Sequence, residues 1–142
     1  MKLLFDECIG YGIYRSLIPA LDAYRPPVAR AHMLDFTGRQ GVPDEEWVPR
    51  AASEGWIVVT GDSGRSRLGA PLQELMPAHG VTGIYFSGKL QSRPAKAKAD
   101  AILAVLDRLP EIAGSPRGAR YRVAISGTGY ALRPWPLRNR PL

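Results

Sequence analysis

Short apolar runs and longer apolar stripes alternate along the chain. The runs have the length of β-strands and lie at residues 2–6, 28–33, 56–60, 81–86 and 121–125. Between them, apolar residues recur every three or four positions, as one face of a helix requires, at residues 11–23, 43–54, 71–78 and 92–109. This order predicts an α/β fold, a three-layer α/β/α sandwich with a mainly parallel central sheet.

Residue choice predicts where the helices begin and end. In the first helix, Pro19 lies within the apolar stripe, and we expect it to end or kink the helix. Asp44 is the expected N-cap of the second helix, and Gly55 is expected to end it in a left-handed conformation. Ser92 is the expected cap of the longest helix, which Pro110 should end. The apolar stripe of the first helix consists of Ile9, Ile13, Leu17 and Leu21.

The C-terminal part combines a strand with a glycine-rich turn. Residues 121–125 and 130–133 would pair as a hairpin across Gly127-Thr128-Gly129. No internal repeat and no domain boundary is recognisable. We therefore expect one domain over residues 1–142, with residues 111–142 as a basic C-terminal extension.

Composition indicates a globular protein. The chain has 142 residues, of which 45% are hydrophobic, and this length suits one domain with its own core. The one cysteine, Cys8, cannot form an internal disulfide, and we expect it to be a buried packing residue; the alternative is a reactive thiol beside the first acidic cluster. No apolar run approaches the roughly 20 residues of a membrane span. We therefore expect a soluble, cytoplasmic protein with no membrane partner.

The neighbours of each histidine and tryptophan in the sequence indicate whether it lies in the core or at the surface. His32 and His79 have no partners at metal-ligand spacing and are expected at the surface, whereas Trp47 and Trp56 are expected in the core. Trp135 lies between prolines near the C-terminus. There it either stacks on a nucleic-acid base or docks onto its own domain.

Positive charge is concentrated at the C-terminal end. The formal net charge is +6, and the segment from Arg117 onward contains six arginines and no acidic residue. Such a segment favours a polyanionic or acidic protein partner. The alternative is a solvated tail that only keeps the protein soluble.

Acidic residues are expected to meet at one edge of the predicted sheet. Asp6 ends the first strand and Asp62 follows the third, and parallel strands bring such ends together. Asp44 begins the helix that leads into the third strand, and a helix N-terminus lies at this same edge in a βαβ unit. Clustered carboxylates repel one another unless a hard cation lies among them, so the pattern predicts a Mg²⁺ or Mn²⁺ site. Glu7, Glu45 and Asp35, which is expected near the end of the second strand, are accessory candidates.

Each of the three acids also has a structural alternative. Asp6 and Asp44 would each cap a helix, and Asp62 would stabilise a turn with Ser63-Gly64. Their shared position at one edge favours the metal site over three separate structural roles.

Three segments resemble the PIN-like nucleases, particularly the short bacterial proteins found as toxins in toxin–antitoxin pairs. The segments are LLFDE, PDEEWVPRAASEG and WIVVTGD, within the first 90 residues. The resemblance implies a metal site built from Asp6, Asp44 and Asp62, with Thr60 as an accessory hydroxyl. It also implies Mg²⁺ or Mn²⁺ as cofactor, RNA as substrate and an antitoxin as protein partner. A homodimer is a further expectation. The pattern departs from the family at Ser63-Gly64-Arg65, where related chains usually carry a further acid and an aromatic residue.

The leading functional hypothesis is therefore a metal-dependent ribonuclease. The arginines expected to hold the RNA backbone are Arg65, Arg67, Arg117, Arg120 and Arg122. The alternative is a scaffold without metal that binds nucleic acid or a protein through its basic end. A phosphoacceptor domain of receiver type is disfavoured because the lysine expected after the fifth strand is missing. A phosphatase of the haloacid dehalogenase type is disfavoured because Asp6-Glu7-Cys8 lacks a second aspartate two residues after the first.

Overall fold

One six-stranded sheet organises the protein. The computed structural model describes residues 1–61 and 71–136. The strand order is β2-β1-β3-β4-β5-β6; β1 to β5 run parallel and β6 runs antiparallel to β5. The strands are β1 (Lys2–Phe5), β2 (Ala29–His32), β3 (Ile57–Thr60), β4 (Gly83–Phe86), β5 (Arg120–Ser126) and β6 (Gly129–Pro134).

Helices connect the parallel strands. They are α1 (Tyr11–Ala23), α2 (Met33–Thr37), α3 (Asp44–Glu54), α4 (Leu72–Ala78), α5 (Gly88–Gln91), α6 (Ala95–Ala104) and α7 (Leu109–Ala113), with a 3₁₀ turn at Leu106–Arg108 between the last two. No helix in the described part of the chain is both long and apolar enough to cross a membrane.

Two apolar cores cover the two faces of the sheet. Alternate strand residues point to opposite faces, so Leu3 and Phe5 pack with the α1 and α6 side, whereas Leu4 packs with α3 and α4. All three side chains are almost completely buried. The expected three-layer α/β/α sandwich with a mainly parallel sheet is confirmed.

The first helix has the bounds that its apolar stripe predicted. α1 runs from Tyr11 through Pro19 to Ala23, so of the two expectations for Pro19, that it ends the helix is wrong. An interior proline costs about 3 kcal/mol. The flanking residues Leu17 and Leu21 are both buried, and complete burial of each is worth roughly 1.5–3 kcal/mol. Burial of the stripe therefore outweighs the lost backbone bond.

The longest predicted helix is broken into shorter pieces. α6 begins after Pro94, not at a Ser92 cap, and ends at Ala104. Pro110 does not end a helix; it lies in the first turn of α7, where the missing N–H has no intrahelical partner to lose. The continuous apolar pattern did not show this break, because α6 and α7 both place apolar residues against the same core.

The second predicted strand turns into an unpredicted helix. β2 ends at His32 and α2 follows directly, so Asp35 lies in a helix rather than at a strand end. His32 is only 1% exposed, which contradicts its expected surface position. Its Nδ1 accepts the N–H of Leu34 (3.2 Å), which leaves Nε2 to donate to the carbonyl of Ile9 (2.7 Å). His32 therefore joins the start of α2 to the segment that follows β1.

The expected C-terminal hairpin is present. β5 and β6 pair across the two-residue turn Gly127-Thr128, in which Gly127 has a φ of 59°. Only glycine adopts this conformation without strain. Because β5 also pairs with β4, these residues form part of the central sheet. Trp135 docks on its own chain beside Tyr85 (ring centroids 5.2 Å apart), and burial raises the pKa of Tyr85.

Candidate functional site

The site lies where the chain reverses its direction of travel across the sheet. From β1 the chain goes outward to β2, then returns to place β3 on the other side of β1. The carboxyl ends of strands at such a switch point form a crevice in open α/β sheets. Asp6 follows β1 there, and its N–H donates to the carbonyl of Val59 in β3 (3.0 Å).

The carboxylate of Asp6 is held in a defined orientation. The hydroxyl of Thr60, at the end of β3, donates to Oδ2 (2.9 Å), and the backbone N–H of Glu7 donates to Oδ1 (2.8 Å). Asp6 is 8% exposed and Thr60 is completely buried. A buried anion needs such donors, because an unpaired charge out of water is expensive. The pair therefore presents an anionic oxygen group at the crevice.

Neither Asp6 nor Asp44 caps a helix. Gly10 precedes α1 and Pro43 precedes α3, and no side chain caps either helix. Asp44 lies instead in the first turn of α3, where its carboxylate accepts from the indole Nε1 of Trp47 (3.1 Å). The capping alternatives for these two acids are therefore wrong, and the buried Trp47 orients Asp44.

A hydrogen bond joins the loops that carry the two acids. Glu7 Oε1 accepts the backbone N–H of Gly41 (2.9 Å), and Gly41 lies three residues before Asp44. The start of α3 is thereby tied to the end of β1. Asp6 and Asp44 thus come from segments that meet at the same edge, with Glu7 as the connection between them.

The thiol of Cys8 belongs to this cluster. Its Sγ lies 3.4 Å from Thr60 Oγ1 and donates to Asp6 Oδ2 over 3.7 Å, and it accepts the N–H of Gly61 (3.2 Å). Cys8 is partly exposed, not fully buried as expected. The favoured expectation of a packing residue did not include these contacts, although the position two residues after Asp6 was the available signal.

The remaining accessory candidates differ in position. Asp35 is exposed and accepts from the hydroxyl of Tyr11 (3.0 Å), and this bond raises the pKa of Tyr11. Glu45 lies beside Asp44 in the first turn of α3 and is partly buried. Asp62, Arg65 and Arg67 lie outside the residues that the structure describes.

The described segments do not by themselves complete a metal centre. Across residues 1–61 and 71–136, no group of three His, Cys, Asp or Glu side chains is close enough to hold a metal ion. The donor type at Asp6 does fit Mg²⁺ or Mn²⁺, since both prefer carboxylate oxygens. The third predicted ligand, Asp62, directly follows Gly61 in the sequence and lies outside the described residues.

The three C-terminal arginines that were predicted to bind RNA have different surroundings. Arg120 is buried, and its guanidinium donates to the carbonyls of Gln73 (3.2 Å), Trp135 (2.8 Å) and Pro136 (2.9 Å). Burial lowers its pKa. Arg122 stacks on the Trp135 ring at 3.8 Å, whereas Arg117 is exposed and donates to the carbonyl of Ala52 (3.0 Å). Arg120 thus stabilises the fold. Arg122 is partly buried, and Arg117 is exposed.

The side chain of Gln91 also reaches this edge. A Cβ atom added to Gly61 would overlap with the carboxamide of Gln91, so glycine leaves the space that this side chain fills. No pattern in the sequence indicated Gln91, because it lies in the short helix α5 that periodicity could not predict.

The comparison with known families agrees with this geometry. The model of a family described as a PIN-like domain matches residues 1–88. The chain belongs to the PIN-like domain family. PIN-like domains are a nuclease-type family and usually depend on divalent metal ions. No curated protein and no solved structure matches the chain. In this PIN-like protein, Asp6, Asp44 and Thr60 lie inside the matched segment, while Gln91 and the hairpin β5–β6 lie beyond it.

Proposed function

We propose that this PIN-like protein is a metal-dependent endoribonuclease. The observation that carries the proposal is the carboxylate of Asp6, fixed by Thr60 at the switch point of the sheet and tied through Glu7 to the start of α3. Membership of the PIN-like family supports a nuclease with a divalent ion.

Asp6, Asp44 and Asp62 would hold Mg²⁺ or Mn²⁺. When bound, the ion supplies a water activated for attack on a phosphodiester and neutralises charge on the phosphate. Thr60 and the N–H of Glu7 hold the Asp6 carboxylate, Trp47 holds that of Asp44, and Glu7 fixes the distance between the two loops. Glu45 and Asp35 would have at most accessory roles.

RNA would be held through its phosphates by arginines. The exposed Arg117 and the partly buried Arg122, together with Arg65 and Arg67 of the sequence, would supply positive charge for this purpose. Arg120 contributes indirectly, because it holds Trp135, the ring on which Arg122 stacks.

The test compares two Asp→Asn variants, each of which removes one negative charge. Asp6→Asn should lower cleavage of a single-stranded RNA by at least about a hundredfold, because the variant loses an anionic ligand. The control, Asp107→Asn, changes an exposed aspartate in the 3₁₀ turn and should cleave normally. Cleavage is followed with Mn²⁺ present and again in EDTA. Equal activity of Asp6→Asn and the control, with host nucleases excluded, would refute the proposal.

A second candidate is a PIN-like scaffold that binds nucleic acid or a protein but does not cleave. The sequence after Asp62, Ser63-Gly64-Arg65, favours it because it lacks the further acid of related chains. Calorimetric titration with Mn²⁺ separates the candidates: binding that Asp6→Asn weakens supports the nuclease, and no binding at millimolar Mn²⁺ supports the scaffold.

We further propose that residues 1–142 act as one domain and that the protein is the toxin of a toxin–antitoxin pair. The strands of the one sheet come from both the matched segment and the residues beyond it, which supports a single unit.

Co-expression with the product of an adjacent small gene should suppress cleavage if that product is the antitoxin. Sedimentation of the purified protein decides whether it forms the proposed homodimer.

A further inference from the structure

A cleft opens at the edge of the sheet opposite to Asp6. Its volume is about 380 Å³, a size that suits a small ligand. Lys2 and Ile57 line it where β1 and β3 begin, Thr82 lines it directly before β4, and Ile112 of α7 adds an apolar wall. Because Asp6 follows the other end of β1, the cleft is separate from the candidate functional site.

Two cations of the cleft meet at the last turn of α3. Lys2 Nζ donates to the carbonyl of Glu54 (2.9 Å), and the guanidinium of Arg117 donates to the carbonyl of Ala52 (3.0 Å). These carbonyls are two positions apart in the chain, so both cations are held within one helical turn. Lys2 is partly buried and Arg117 is exposed. A ligand in the cleft can therefore reach both positive charges.

Capping of α3 uses only part of what these side chains offer. A cation near a helix C-terminus is favourable, but an ammonium has three N–H donors and a guanidinium has five. The carboxylate of Glu54, at the same helix end, accepts from Arg50 (2.7 Å) and from Trp56 (3.3 Å). None of the described residues that line the cleft is acidic. Donors and positive charge thus remain for an anion.

The rest of the cleft is largely apolar. The ammonium of Lys2 lies 4.8 Å from the centroid of the Trp56 ring. Ile57 and Ile112 are buried, and Thr82 adds one hydroxyl. A ligand that matches both parts has an anionic head and an apolar or flat body. A phosphate monoester carries a charge of about −1.5 to −2 near pH 7, which balances two cations better than the single charge of a carboxylate.

We propose that this cleft binds a small phosphate monoester of the nucleoside-monophosphate class. Arg117 and Lys2 hold the phosphate, the guanidinium through two oxygens and the ammonium as a point charge. The nucleoside packs against Ile57 and Ile112 beside Trp56. This site does not depend on the proposed nuclease activity. Because Arg117 is also proposed to contact RNA, the test measures binding of the small ligand and not cleavage.

Calorimetric titration of the full chain with adenosine 5′-monophosphate tests the proposal, in EDTA so that no metal ion joins the phosphate to Asp6. This nucleotide should bind more tightly, by about tenfold or more, than inorganic phosphate, which lacks the body, and than adenosine, which lacks the charge. Lys2→Gln and Arg117→Gln should each weaken binding about tenfold, the effect of one charged hydrogen bond. The controls Lys89→Gln and Arg93→Gln change exposed cations that do not line the cleft and should bind like the parent protein.

A second pair of variants leaves both cations in place. Ala113→Leu adds bulk at an exposed residue of the cleft and should weaken nucleotide binding by about tenfold or more. Its control is Ala104→Leu, which changes an exposed alanine at the end of α6 and should not affect binding. Thermal unfolding of all variants without ligand shows that each is folded at the temperature of the titration.

Three outcomes would overturn the proposal. The first is no binding of adenosine 5′-monophosphate by the parent protein at millimolar concentration, in which case Lys2 and Arg117 only cap α3. The second is an affinity for this nucleotide no higher than that for inorganic phosphate or for adenosine. The third is a loss of affinity in the cleft variants no larger than that in their controls.

Discussion

At the scale of single residues, the guanidinium of Arg120 joins three parts of the C-terminal half. It donates to carbonyls of Gln73 in α4 and of Trp135 and Pro136 after β6, and it lies 4.0 Å from the Trp135 ring. Arg122 lies 3.8 Å from the same ring, but its buried Nε has no hydrogen-bond partner in the described structure. The two arginines look equivalent in sequence, and their surroundings separate them.

Arg120→Met should therefore destabilise the protein by about 3 kcal/mol, because three carbonyls lose a charged donor in a buried place. The free energy of unfolding from urea titration measures this. Arg122→Met is the matched control and should cost less than about 1 kcal/mol, since it removes a ring contact without breaking a hydrogen bond. Similar losses in both variants would mean that stacking on Trp135, not hydrogen bonding, stabilises this region.

At the scale of elements, the missing side chain of Gly83 determines how β4 packs against α4. A Cβ atom at Gly83 would lie 2.6 Å from Cε2 of Tyr85 and would overlap with the terminal methyl of Met76. The ring of Tyr85 therefore lies back over the start of its own strand, and the end of α4 packs closely above it. Gly88, at the start of α5, has open space at the same position.

Gly83→Ala should consequently lower the free energy of unfolding by about 1–3 kcal/mol through overpacking. Gly88→Ala should leave it unchanged or raise it slightly, because alanine is the better helix residue. Thermal unfolding of the two variants, followed by circular dichroism, gives the comparison. A Gly83→Ala protein as stable as the parent would show that Met76 and Tyr85 move aside without cost.

At the scale of the whole molecule, the sheet extends beyond the segment that matches the PIN-like family. The match ends at residue 88, yet β5 pairs with β4 over four residue pairs from Gly83↔Arg120 to Phe86↔Val123. β6 then covers the other edge of β5 and carries Trp135 back onto Tyr85. The basic C-terminal residues therefore contribute to the core as well as to the charge.

Removal of residues 111–142 should prevent folding, because it exposes the edge of β4 and the apolar residues that pack against β5. A protein ending at residue 110 should show poorly dispersed amide signals in NMR spectra, whereas one ending at residue 136 should resemble the parent. A well-folded shorter protein would identify the hairpin as a separate addition and would contradict the single domain proposed above.

The sequence by itself determined the layered α/β fold, the stripe of α1, the hairpin turn at Gly127 and the edge of the sheet at which the segment after β1 meets the loop before α3. These follow from local rules: the period of apolar positions, the conformational freedom of glycine, and the direction of parallel strands. Only the tertiary structure decided that His32 and Arg120 are buried, that Cys8 and Gln91 reach the end of β3, and that one long apolar pattern breaks into α6 and α7. These depend on contacts between residues far apart in the chain, and a pattern within one segment carries no information about the surface against which it packs.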